Sequence, residues 1–347
     1  MTNSVDGIRE MVENVPLATS AQESGLITCA TDWAGMSSSD LPTLASQVIP
    51  NLSNFSMLTD RVQQGFVNFM FLGRLMLHPD GFSSDSAFRS DNNGTAESVI
   101  DTQRLFYHGN SQGGILGGAL TAVAPDFQRA ALGVPGMNFS TLLDRSTAFD
   151  PFRKALYRNY ELGPERPLVM ALIQQQWDRA EANGYAAHMT DAPYPNTPSH
   201  KVLLLEAFGD HQVSNVTTQV EARTIGAQLR TPSLDPGRPG VWGDYFWGIR
   251  SVPSLPYDGS VVALTYPAGA GNPTTSRSAV GRSISPSSSS GPLINAEKSI
   301  AFGEGAPIQN RHKLPAMWAK SARRSCPISA FAAATTSRSN FTSSRGS

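Results

Sequence analysis

Short apolar runs ending in Gly, Asp or Asn alternate along this chain with longer stretches whose apolar residues recur every three or four positions. The first run, GLITCATDWAG at 25–35, predicts a buried strand and its exit loop. Ser53 to Leu77 then carries Leu, Phe and Met at helical spacing. Its most apolar part, GFVNFMFLGRLML at 65–77, is interrupted by Asn68 and Arg74. That window is shorter than the roughly 20 residues a membrane span requires, so a buried helix is expected. TQRLFYHGN at 102–110 predicts a second strand, and QGGILGGALTAVAP a helix packed closely through Gly113, Gly114, Gly117 and Gly118. RAALGVPG at 129–136, KVLLLEAFGD at 201–210 and SVVALTYPAG at 260–269 predict three more strands, the middle one having the clearest pattern. This alternation implies an α/β fold, a mainly parallel sheet with helices on both faces, and in such sheets chemistry gathers at the carboxyl ends of the strands. Residues 137–200 are longer than a direct crossover needs; they accommodate two or three helices and read as a helical lid.

Composition narrows the class without naming a function. A chain of 347 residues that is 40% hydrophobic can bury a substantial core. A net charge of −1 gives no electrostatic reason to bind nucleic acid or an anionic membrane. Cys29 and Cys326 are too far apart in sequence to suggest a metal knuckle or redox pair, which leaves buried thiols or a single disulfide. No signal-peptide pattern opens the chain, although an intact parent could be secreted.

The tail has a different character. From Ser276 onward there are ten basic and two acidic residues, which leaves 17 basic and 26 acidic residues before it. With SISPSSSSGP and AAATTSRSNFTSSRGS, it has the composition of a poorly ordered extension. Around MWAKSARRSCPIS a neighbouring reading frame could instead encode an amphipathic closing helix, which would make the tail a frame-shifted segment. The organisation expected is a catalytic domain over 1–270, with the lid at 137–200, followed by the tail at 271–347.

Candidate chemistry centres on GNSQGG at 109–114, a G-x-S-x-G pattern placed between a predicted strand and a predicted helix. A sharp turn there needs small neighbours, and Gly109 and Gly113 supply them. The helix that follows directs its N-terminal N–H groups toward Ser111, which places the Gln112 N–H to stabilise an oxyanion. On these residues, from about Val5 to Ala268, the chain resembles serine esterases and lipases of the α/β-hydrolase superfamily. The resemblance implies a Ser, acid, His order along the chain and an acyl-enzyme mechanism without metal or organic cofactor. Asp210, in LLLEAFGDHQVSN, matches the acid loop after the penultimate strand, with Asp244 in VWGDYFWG as the alternative.

Only His211 and His312 follow Asp210. His211 is its immediate neighbour, so its side chain is expected to point elsewhere. His312 has the right chain order but stands in QNRHKLPAMW, inside the suspect tail. His108, three residues before the serine, suits packing or lining of the site. The family's oxyanion loop follows an early strand, often with His-Gly, and residues 1–24 contain no His-Gly. VDGIREMVEN already looks like the first helix, so the resemblance implies a sheet short of its first strands. Phe139, Leu142, Leu143, Phe149, Phe152 and Trp177 could line an acyl pocket or simply pack the lid. The function expected is hydrolysis of a small or lipid-like ester. A peptidase or thioesterase on the same machinery, or an impaired or non-catalytic relative, are the alternatives.

Overall fold

The computed structural model describes residues 21, 24–92, 95–161, 163–233 and 246–265. All of them belong to the first of two compact units into which the chain divides, Met1–Ile308 and Gln309–Ser347. The expected N-terminal helix, Asp244, His312 and the tail at 271–347 lie outside the described residues.

Five strands form one wholly parallel sheet in the order β3-β4-β5-β7-β6. They are β3 (Tyr107–Asn110), β4 (Arg129–Gly133), β5 (Lys201–Ala207), β6 (Gln228–Leu229) and β7 (Val261–Thr265). Preceding them is a separate antiparallel hairpin of β1 (Arg89–Asn92) and β2 (Thr95–Ser98). The six helices used below are α1 (Ser56–Leu77), α2 (Gln112–Val123), α3 (Phe139–Leu143), α4 (Asp150–Asn159), α5 (Arg166–Trp177) and α6 (Asn215–Thr224).

Register follows from which faces are buried. Tyr107 stands opposite Ala130 and Ala130 opposite Val202, so these three side chains share one face with Leu132, Leu204 and Val262. On that face lies the main core, built against Leu58, Val62, Phe66 and Phe69 of α1 and Ile115, Leu116 and Ala119 of α2. The spacing of the α1 residues is the single apolar stripe of an amphipathic helix. By contrast, α2 is buried from Gly113 to Ala122, which explains why its sequence is apolar or glycine all round. Leu203, Leu205, Val261 and Ala263 form a second cluster on the opposite face, against Val252 and Tyr257. Because β5 is buried on both faces, its sequence reads as a continuous apolar run rather than an alternation. The helical layer expected on the second face is not among the described residues.

One expected strand is corrected. Residues 26–33 form no ladder, and their buried anchor is Trp33, packed 6.0 Å from the Phe66 ring and 4.3 Å from the Phe69 ring of α1. The apolar run is used to seat a loop on a helix, which pattern alone cannot tell from a strand.

Between β4 and β5 the insertion carries α3, α4 and α5. It docks on α1 through Arg179, whose guanidinium reaches Asp60 at 2.9 Å and Thr59 Oγ1 at 2.8 Å, and whose carbonyl accepts from Gln63 Nε2 at 3.0 Å.

Candidate active site

Ser111 occupies the turn between β3 and α2 with φ 53° and ψ −119°. For a residue with a Cβ this is a sparsely populated conformation that costs of order 1–3 kcal/mol. Three contacts hold it. The Ser111 N–H donates to the Gly133 carbonyl at 2.9 Å, tying the turn to the end of β4. At Gly109 a Cβ would overlap the Gly113 carbonyl and come 2.5 Å from Tyr107 Oη, and at Gly114 it would overlap the Gly133 carbonyl. Beneath the turn, the buried Tyr107 hydroxyl donates to the Gly113 carbonyl at 2.7 Å, and burial raises its pKa. The glycines are therefore demanded by close approach, while the strained position itself holds a serine. Ser111 remains half-exposed.

Gln112 opens α2, so its N–H has no partner within the helix. Its side-chain Nε2 is buried, and no acceptor among the described residues reaches it.

Asp210 follows β5 at the same carboxyl edge of the sheet, with only β4 between the two strands. Gly209 makes the bend at φ 73°. The Asp210 carboxyl is buried, and its Oδ1 accepts from the N–H of Gln212 at 2.7 Å and of Val213 at 3.1 Å. Burial pushes its pKa up; the two N–H donors and the neighbouring His211 pull against that rise. Sequence reasoning missed the brace on this turn. Asn215 accepts from the Gly209 N–H at 2.9 Å and donates to the Ala207 carbonyl at 2.6 Å. An asparagine opening a helix looks like an ordinary end signal, so nothing in the sequence marked this role.

Three of the five described histidines have ring partners elsewhere. A ring nitrogen of His78 accepts from the Asp80 N–H at 3.1 Å, and His188 bonds the Ala192 carbonyl and stacks on Tyr194. The ring nitrogens of His200 each lie 3.2 Å from a carbonyl, Met189 on one side and Ala124 on the other. His108 is held down to about 4 by burial. His211 is exposed beside Asp210, and its carbonyl accepts from both the N–H and the hydroxyl of Thr147 in the insertion.

Half of the apolar residues expected around an acyl chain are buried in packing. Phe139, Leu142 and Trp177 are buried, with Trp177 stacked on Phe139 at 4.3 Å and edge-on to Phe55 at 5.2 Å. Leu143, Phe149 and Phe152 are half-buried. Phe149 is close in sequence to Thr147, which is bonded to His211, so it is the candidate most directly tied to the acid turn. Among the described residues no group of three His, Cys, Asp or Glu could hold a metal, and no helix is long and apolar enough to cross a membrane.

Comparison with known protein families, with curated proteins and with solved structures finds no match for this chain. What its architecture defines is a parallel α/β protein with a strained serine turn and a buried aspartate at one edge of its sheet.

Proposed function

We propose that this protein is a serine hydrolase of the α/β-hydrolase type, cleaving carboxylic esters through an acyl-enzyme. The observation that carries the proposal is the positive φ of Ser111 at a strand-to-helix turn. Glycine would occupy that conformation without strain, and a serine held there at a strand-to-helix turn supports a use for its hydroxyl. In the proposed reaction Ser111 Oγ attacks the ester carbonyl while a histidine takes its proton. On chain order alone His312, which lies outside the described residues, is the candidate base and Asp210 the candidate acid. The Gln112 N–H, at the positive end of α2, stabilises the oxyanion. The alcohol leaves with the proton, and water then releases the acid by the same steps. Phe149 fits an apolar group of the substrate. Thioester or peptide substrates would use the same machinery.

Labelling with a fluorophosphonate tests the proposal. Covalent capture at Ser111, lost in Ser111→Ala, is the expected result. Ester hydrolysis that persists in Ser111→Ala would reject it, and a correctly folded protein that neither labels nor hydrolyses would favour a non-catalytic role.

A further inference from the structure

Two carboxyl groups that the proposed hydrolysis leaves unused, Glu181 and Glu221, are completely buried. Glu181 lies just beyond α5 in the insertion. It accepts from the Phe139 N–H at 3.1 Å, from Gln174 Nε2 at 2.6 Å and from the Asn183 N–H at 2.9 Å. Glu221 projects from α6 toward α2 at the point where Gly118 leaves that helix bare. A methyl group on Gly118 would stand 2.9 Å from Glu221 Oε1 and 2.7 Å from the Cβ of Ala182, the residue after Glu181. Glu221 thus reaches the insertion through a gap in α2. No donor among the described residues reaches either of its oxygens.

Among the described residues, the groups around the pair supply no compensating charge. From the end of α5 comes Asp178, whose Oδ1 accepts from Gln174 and Asn183 at 2.7 Å each. The neighbouring Arg179 turns away to Asp60 and Thr59. Met189 approaches the same gap, and the His200 ring beside it faces the carbonyls of Met189 and Ala124. From α2 there is only Gly118. At Glu221 a carboxylate loses its hydration without gaining a donor among the described residues, so its neutral form is favoured.

We propose that Glu181 and Glu221 form a proton-dependent latch between the insertion and the body. With Glu221 neutral, residues 139–189 pack on α2 and α6; with both carboxyls ionised, like charges in a dry interior loosen the insertion. Burial raises both groups, Glu181 to about 7 with Asp178 adding to the rise, and Glu221 well above its usual range with the Glu181 charge adding to it. An unfolded glutamate titrates near ~4.3, so the folded state here binds the extra protons. The latch's stabilisation is therefore complete below that value and is lost as pH rises through the folded-state pKa values. None of this depends on Ser111 chemistry.

Thermal melting of the full chain between about pH 5 and pH 9 tests the latch, with Glu221→Gln as the variant that cannot ionise. Wild type should lose about 5–10 °C of Tm across that range, and Glu221→Gln should lose less than half as much. Hydrogen exchange in 139–189, corrected for its intrinsic rate, should quicken with pH in wild type and not in the variant. Parallel melting curves, or equal quickening, would overturn the latch. Should Glu221→Gln fail to fold, carboxyl 13C titration of the wild type decides instead. A glutamate titrating above about pH 7 is expected, and all glutamates titrating below about pH 5 would exclude it.

Discussion

The turns that leave β3 and β5 solve one geometric problem in opposite ways. Both bend sharply at the carboxyl edge of the same sheet, and both require a residue at positive φ. After β5 that residue is Gly209, and the buried carboxyl stands one position later on ordinary backbone. After β3 the positive φ falls on Ser111 itself, and the glycines stand around it to admit neighbouring backbone. The turn after β5 puts glycine at the strained position and so carries no strain there. A turn that has to present a side chain there must hold the strain by contacts, here those of Gly133, Gly113 and Tyr107.

The largest effect that would sharpen this contrast is on activity. Ser111→Ala should lower ester turnover by about 10⁶-fold and abolish fluorophosphonate labelling, with a melting temperature close to wild type. Asp210→Asn should follow, at about 10⁴-fold in kcat. Its amide oxygen can still accept from the Gln212 and Val213 N–H groups, so far-UV circular dichroism should not change. Stability effects come next and carry opposite signs at the two turns. Gly209→Ala should cost about 1–2 kcal/mol in denaturant melts, because alanine resists positive φ. Ser111→Gly should instead gain about 1 kcal/mol while removing activity. If Ser111→Gly destabilises the protein, the serine turn is unstrained and the contrast fails.

Much of the frame was legible because burial leaves a mark in local sequence. KVLLLEAFGD contains β5 since a strand covered on both faces must be apolar throughout, and Ser53 to Leu77 contains α1 since one helical face must be. The short β6 was not legible: two residues at a sheet edge carry no period. The hairpin at 89–98 was missed although Asn93-Gly94 is a turn signal, because its strands, RSDN and TAES, lack apolar alternation. GLITCATDWAG misled for the converse reason, an apolar run whose anchor, Trp33, seats on a helix rather than in a ladder.

The sequence by itself determined β3, β4, β5 and β7 with α1 and α2 between and before them, the glycine frame of the Ser111 turn and the aspartate after the longest apolar strand. Each is encoded within about ten residues, the range over which period and turn chemistry act. Only the tertiary structure decided that β4 alone separates the Ser111 and Asp210 strands, that Trp177 and Phe139 stack in the core, and that Glu221 and Ala182 close on Gly118. Those relations join residues from different elements, and their energy arises from excluding water between surfaces that no local pattern brings together.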